Sequence, residues 1–240
     1  MKIFEGKSFY FDSLLRNQFI LTWMEFKVTA HEINIGDKAY QALSVTNFDE
    51  LYEQLLAKGL QHEDVADERI PYWAELWPSA VGLATHLVNY KDLMTNKTVL
   101  EIGCGLGLPS IVAVSLGSHA IATDYLKDAV DFAARNAALN DITDIAFQTL
   151  DWRRAEGFGK FDILLASDVA YERSQFDHLE NAFKHLVKPH GLILLSEPNR
   201  YIAEPFLADL IKAGYSLEKF SYDVEVKNIK SKVSVYAIRL

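Results

Sequence analysis

Val99-Leu100-Glu101-Ile102-Gly103-Cys104-Gly105-Leu106-Gly107-Leu108 joins a short apolar run to three closely spaced glycines and then to a second apolar segment. Residues 99–102 have the length and composition of a strand buried on both faces, and residues 108–116 read as a helix. The glycines therefore sit where the chain leaves a strand and enters a helix. Glycine permits positive φ and close approach of a ligand to the backbone, and open parallel sheets take their ligands outside the carboxyl ends of the strands. The glycine pattern alone is a weak signal, but this position makes it a ligand-facing turn.

The same alternation continues downstream. Near-continuous apolar segments at 120–123, 146–150, 163–166 and 192–195 are interleaved with helices predicted near 126–139, 174–187 and 203–213. Leu126, Val130, Ala133 and Ala137 make one stripe, and Asn140 is placed to end that helix. The tail, 216–226 and 232–239, alternates without an intervening helix and reads as an antiparallel pair closing one sheet edge. The expected class is α/β: a Rossmann-like, doubly wound seven-strand sheet, mostly parallel, with a C-terminal antiparallel hairpin.

Upstream, strand-like runs at 25–35 and 38–46 flank Gly36-Asp37, which has hairpin-turn chemistry. Phe48, Leu51, Leu55 and Leu56 recur at helical spacing over 48–58 with Gly59 as a stop, and a further helix is predicted to begin after Pro78 and run to about Tyr90. This divides the chain into a small N-terminal hairpin and helix appendage, residues 1–69, and a main domain, residues 70–240. Residues 1–23 show no clean periodicity, so their placement stays open, and Met24 is an alternative start.

Composition narrows the function. The 240 residues are half hydrophobic and 24% charged, with a formal net charge of −9, so nothing draws the chain to phosphate backbones and a nucleic-acid partner is not expected. No apolar run reaches the roughly 18 residues of a spanning helix, and 19–23 is too short for a secretory core, so no membrane partner and a cytoplasmic location are expected. Cys104 is the single cysteine, which rules out an internal disulfide and a cysteine-built zinc site within one chain; it reads as a small filler of the glycine turn. His62, His86, His119 and His178 show no close ligand spacing, so no catalytic metal is predicted. No repeat or low-complexity segment is present.

Asp124 ends the next strand, 21 positions after Gly103, where a carboxylate can accept from both hydroxyls of a ribose. That implies an adenosine-type cofactor. The glycines run Gly-x-Gly-x-Gly with Glu101 two residues upstream, whereas a pyrophosphate needs helix N-terminal amides and the wider Gly-x-Gly-x-x-Gly loop. A methionine tail bearing a sulfonium tolerates nearby carboxylates.

On these residues the sequence resembles the class I, seven-strand methyltransferases that use S-adenosyl-L-methionine (SAM), over roughly residues 70–240. Glu101 to Gly107 looks like their first motif and Asp124 like their ribose-binding acid. Within the class it is similar to the protein-lysine group called methyltransferase family 16. Four features carry that likeness: Trp73-Ala74-Glu75-Leu76-Trp77-Pro78-Ser79-Ala80, Leu150-Asp151-Trp152, the acid-x-x-aromatic Asp168-Val169-Ala170-Tyr171, and the closing hairpin.

The resemblance implies SAM as cofactor. Trp77 would contact it, Asp151 would receive the adenine amino group, and Trp152 would wall the adenine. Glu101, Gly103, Cys104, Gly105 and Gly107, with Asp124, Tyr125 and Ser167, complete the expected cofactor set. Each has a plainer alternative: core packing for Trp77 and Trp152, a loop cap for Asp151, and a cap on nearby amides for Glu101. Asn136 and Asn140 read as helix-end residues rather than ligands.

Asp168 and Tyr171 follow the fourth parallel strand and are the expected catalytic pair. Asp168 would attract and orient an incoming amine, with Tyr171 beside it; the alternative for Asp168 is a cap on the next helix. Ser196-Glu197-Pro198-Asn199-Arg200 follows the fifth strand and is a secondary acceptor-site candidate or a solvated loop. The prolines of the Asn/Asp-Pro-Pro-aromatic tetrad used on planar nitrogens are absent. The resulting expectation is a SAM-dependent N-methyltransferase, with a protein lysine as favoured acceptor by the resemblance. A small-molecule N- or O-methyltransferase, a noncatalytic SAM-binding scaffold and, last, an NAD-binding oxidoreductase are the alternatives. The oligomeric state stays open.

Overall fold

The structure, a computed structural model, describes residues 26–67 and 69–240. The readings of residues 1–23 and of Met24 as an alternative start lie outside the described residues. The chain begins with β1 (Val28–Ile35) and β2 (Lys38–Val45), antiparallel about the Gly36-Asp37 turn. Helices α1 (Phe48–Ala57), α2 (Glu63–Ala66) and α3 (Pro78–Asn89) follow. Pro78 opens α3 where a proline's missing N–H costs nothing.

The main unit runs β3 (Thr98–Ile102), α4 (Leu108–Ser115), β4 (His119–Asp124), α5 (Lys127–Leu139), β5 (Ile145–Thr149), β6 (Phe161–Ser167), α6 (Phe176–Leu186), β7 (Val187–Glu197), α7 (Glu204–Lys212), β8 (Ser216–Val226) and β9 (Ile229–Arg239). Among the described residues, these strands form one seven-stranded sheet in the order β5-β4-β3-β6-β7-β9-β8. Pairings through β7 are parallel, and β9 is antiparallel to both β7 and β8. The chain winds outward from β3 to β5, then returns to β6 on the other side of β3, so a crevice opens at the carboxyl ends of β3, β4 and β6.

The sheet separates two apolar layers because strand side chains alternate. Val99, Ile163, Leu165, Leu192 and Leu194 pack with Leu83 and Leu87 of α3 and with Ile111 and Val112 of α4. Leu100, Ile102, Leu164, Ala166, Ile193 and Leu195 pack on the other face with Phe183 and Leu186 of α6 and with Phe206 and Leu210 of α7. His86 is a core histidine of α3: its Nδ1 lies 2.7 Å from Tyr222 Oη, its ring packs on Tyr90 and Phe220, and burial pushes its pKa down to about 4.

The N-terminal hairpin shares the first of these layers through Ile33, Ile35, Tyr40 and Val45. It is fixed to α5 by side chains: Asn136 Oδ1 accepts from Leu43 N at 2.7 Å, Asn136 Nδ2 donates to Leu43 O and to Leu106 O, and Asn140 bonds both backbone groups of Gln41. The two asparagines thus satisfy the otherwise unpaired edge of β2.

Three expectations need correcting. Of Phe48, Leu51, Leu55 and Leu56, whose helical spacing marked α1, Leu55 alone is buried and Leu56 is 48% exposed. The segment read as a doubly buried strand at 146–150 is the edge strand β5, whose Gln148 and Thr149 face solvent. The strand read at 192–195 starts earlier, at Val187, and its register against β6 shifts between Phe161 and Ile163.

Candidate active site

The glycine turn after β3 has Gly103 at φ 62°, Gly105 at 50° and Gly107 at 78°. These are left-handed conformations that side chains disfavour. A Cβ on Gly103 would lie 3.0 Å from Val169 Cγ1 and 3.1 Å from Trp152 Cζ3, so the bare backbone is also needed for packing. Cys104 sits within the turn, nearly fully buried, and burial raises its thiol well above the usual range, which fits a filler.

Glu101 departs from its expected cofactor contact. It is fully buried and absent from the cavity wall, and one oxygen accepts from Ser110 N at 3.0 Å and Ser110 Oγ at 2.5 Å, capping the first turn of α4. Burial lifts its carboxyl to about 8 against the opposing Ser110 bonds. Its work is to hold the turn and helix together from beneath.

Asp124 ends β4 beside that turn. Oδ2 accepts from Gly105 N and Oδ1 from Leu126 N, both at 3.0 Å. Burial raises its carboxyl and the backbone N–H bonds oppose the rise. Its neighbour Tyr125 donates from its hydroxyl to Asp67 at 2.6 Å and accepts from Arg69 Nε at 2.8 Å, while Arg69 and Arg153 approach its ring at 4.8 and 5.1 Å.

Asp151 accepts from Arg153 N at 3.0 Å and pairs with the Arg153 guanidinium at 2.9 Å. Burial alone would raise its carboxyl; the Arg153 bonds prevail and hold it below the usual range. The loop-cap reading of Asp151 is therefore realised, and the residue also lines the cavity, as does Trp152.

At the reaction edge, Ser167 ends β6 and Asp168 follows with φ 61°, its N–H donating to Ser196 O at 2.9 Å. Asp168 caps no helix: the N-cap positions of the two following helical segments are Glu172 and Gln175. One Asp168 oxygen meets Arg200 Nη1; the other, Oδ2, is buried with no hydrogen-bond partner among the described residues. Tyr171 lies edge-on to Tyr72, which lies edge-on to Trp77. Withdrawal from water, then the charge of Glu172, pushes the Tyr171 phenol up to about 12, so it stays a neutral O–H donor. Trp77 Nε1 donates to the backbone Tyr72 O at 2.7 Å, which orients the indole.

These groups surround one cavity of about 580 Å³, within the size range of small-molecule sites. Apart from Glu101, every residue of the expected cofactor set and the pair Asp168 and Tyr171 line it; of the secondary acceptor candidate at 196–200, Arg200 lines it and Ser196, Glu197, Pro198 and Asn199 do not. Sequence reading missed Asp67, Arg69, Tyr72 and Arg153, which also line the cavity. No spacing marks them, because they come together only when the segment before α3 folds over the ends of β4 and β5; the aromatic density at Tyr72-Trp73 was the one available signal. Among the described residues, no group of His, Cys, Asp or Glu is arranged to hold a metal ion.

The cavity fits a sulfonium nucleoside. Asp124 brings a carboxylate to its wall beside the glycine turn, Trp152 and Leu126 supply apolar wall, and Gly103, Gly105 and Gly107 line it without side chains. The partnerless Asp168 oxygen is a polar group that needs an occupant.

Comparison with known proteins gives the same direction. A protein-family profile described as lysine methyltransferase matches residues 60–213. The protein N-lysine methyltransferase METTL21A of Xenopus tropicalis is 30% identical over 156 residues, covering 62% of this chain and 72% of its own. The protein N-terminal and lysine N-methyltransferase EFM7 of Candida glabrata is 30% identical over 198 residues, covering 69% and 76%. Among solved structures, the magnesium protoporphyrin IX methyltransferase of Synechocystis PCC 6803 with bound SAM shares the fold, with a TM-score of 0.55 at 18% identity, covering 81% of this chain and 92% of that one.

Proposed function

The chain belongs to the lysine methyltransferase family whose profile spans residues 60–213, and from that premise we propose that its acceptor is a lysine side chain of a protein, received between Asp168 and Tyr171. The chain is a SAM-dependent methyltransferase. When bound, SAM supplies an electrophilic methyl on a cationic sulfur. The chain's own residues bind and align. Gly103 to Gly107 cradle the amino-acid portion, Asp124 accepts from the ribose hydroxyls, and Trp152 covers the adenine with Asp151 at its edge.

Methyl transfer is an in-line displacement, so most of the acceleration comes from alignment and from excluding water. Asp168 offers Oδ2 to the acceptor nitrogen, and the Tyr72, Trp77 and Tyr171 rings flank the lysine's methylene stem. The observation that carries the reading is that a residue lining a SAM-sized cavity, Asp168, holds a buried acid oxygen without a partner among the described residues. A cytoplasmic location belongs to the same proposal and is tested by cell fractionation.

The test is fractionated cell lysate incubated with tritiated SAM and either the wild-type chain or Asp168→Asn. Label on a discrete protein, released as methyl-lysine on hydrolysis and lost with Asp168→Asn, is expected. Label only in the small-molecule fraction would move the reading to a small-molecule methyltransferase. Cofactor binding without label in any fraction would leave a noncatalytic binder.

A further inference from the structure

We propose that Arg200 is a positioning residue that lets Asp168 hold the acceptor amine without trapping it as an ammonium ion; this rests on the lysine reading above.

An unpaired carboxylate beside a lysine stabilises the charged form, raising the amine's pKa by roughly one to three units. That would work against transfer, because an ammonium nitrogen has no free electron pair. The structure places a cation where it cancels this effect. Arg200 Nη1 bonds Asp168 Oδ1, Oδ2 is buried without a partner among the described residues, and both Asp168 and Arg200 line the cavity. The pair is close to neutral, so it can orient the amine by hydrogen bonding while adding little net attraction for a second positive charge.

The guanidinium is built in rather than draped on the surface. Arg200 Nη1 also reaches Glu197 Oε1 at 3.3 Å, and its backbone N lies 3.4 Å from Glu197 Oε2. Glu197 is 1% exposed at the end of β7, and burial followed by the nearby Asp168 charge lifts its carboxyl to about 7, with Arg200 opposing. Between them, Asn199 takes φ 62° and is bolted to β9, donating from Nδ2 to Lys232 O at 2.8 Å and accepting from Ser234 Oγ at 2.5 Å. The loop from Glu197 to Arg200 is therefore fastened at both ends. Other ionisable groups lining the cavity include Tyr171, Glu172, Tyr72, Glu75, Asp67, Asp124 and Asp151. Its other cations, Arg69 and Arg153, are paired with Asp64 and Asp151, and Arg200 is the cation bonded to Asp168.

In the step itself, the amine's proton leaves to water at the cavity mouth. The nitrogen lone pair then forms the N–C bond as the C–S bond breaks, with that electron pair remaining on sulfur.

The test measures kcat against pH for wild type, Arg200→Gln, Arg200→Lys and the double variant Glu197→Gln/Arg200→Gln, which removes the buried acid that Arg200→Gln alone would strand. The acceptor is the protein fraction that wild type labels most strongly, and folding is checked by S-adenosylhomocysteine binding. The expected result is that the kcat midpoint of the glutamine variants rises by at least about one pH unit while acceptor KM at neutral pH falls or holds. Arg200→Lys should return the midpoint to the wild-type value. An unchanged midpoint in the double variant overturns the proposal, whatever the loss of rate. If wild type labels no protein fraction, the lysine reading fails and this inference falls with it.

Discussion

Trp152 stands against Gly103: a Cβ on that glycine would lie 3.1 Å from Trp152 Cζ3 and 3.0 Å from Val169 Cγ1. The turn that lines the cavity and the ring proposed to cover the adenine are thus packed on each other. Gly103→Ala would meet this contact and the cost of φ 62° together, about 1–3 kcal/mol for the backbone alone. Affinity for SAM should fall by about tenfold or more, measured by calorimetry; unchanged affinity would mean that the turn can rearrange freely.

Asp168 sits at φ 61°, a conformation that asparagine also tolerates. Asp168→Asn therefore removes charge without breaking the turn. Its kcat should fall by about two orders of magnitude or more while cofactor affinity stays within a few-fold. Full turnover by this variant would remove Asp168 from the acceptor site.

Asn136 is fully buried and joins the hairpin to the glycine turn, bonding Leu43 through N and O and Leu106 through O. Asn136→Leu would strand those buried backbone groups, at about 1–3 kcal/mol each when unpaired. Urea unfolding should show a loss of about 3 kcal/mol or more, accompanied by weaker cofactor binding. A loss below about 1 kcal/mol would show that the hairpin is not held this way.

Glu101 has its carboxyl raised to about 8 in the folded chain, from an ordinary value of 4.5. Between those values the folded state keeps a proton that the unfolded state has released, so this group's contribution to stability falls as pH rises from about 4.5 to 8. The slope has an upper bound of about 1.4 kcal/mol per pH unit. Glu101→Gln cannot titrate and should flatten the fall in melting temperature across that window. Parallel curves for variant and wild type would place the Glu101 proton elsewhere.

Much of this was legible in the sequence because buried parallel strands write themselves as apolar runs. The runs at 99–102 and 163–166 fall inside β3 and β6, and the alternating tail became β8 and β9. The edge strand β5 was misjudged for a physical reason. Ile145 and Phe147 are half-buried on one face while Gln148 and Thr149 face water, and a short run with three apolar residues does not distinguish an edge from a centre. Of the site, the glycines and Asp124 were readable because a backbone turn fixes their spacing. Glu101 was read outward when its carboxylate points under the helix to Ser110, since strand alternation alone leaves open what its face meets. The ion pair of Arg200 with Asp168 joins loops 32 positions apart, and only the sheet order β6-β7 brings them together.

The central claim is that the turn at Gly103–Gly107 and the acid Asp124 together bind a sulfonium nucleoside. The most direct measurement is titration calorimetry of S-adenosylhomocysteine into the wild-type chain and into Asp124→Ala. The account predicts saturable one-to-one binding to wild type and a loss of at least about a hundredfold in the variant, since the ribose hydroxyls and Gly105 N would both lose their acceptor. Equal affinity for the two proteins, or no heat with wild type, would contradict it.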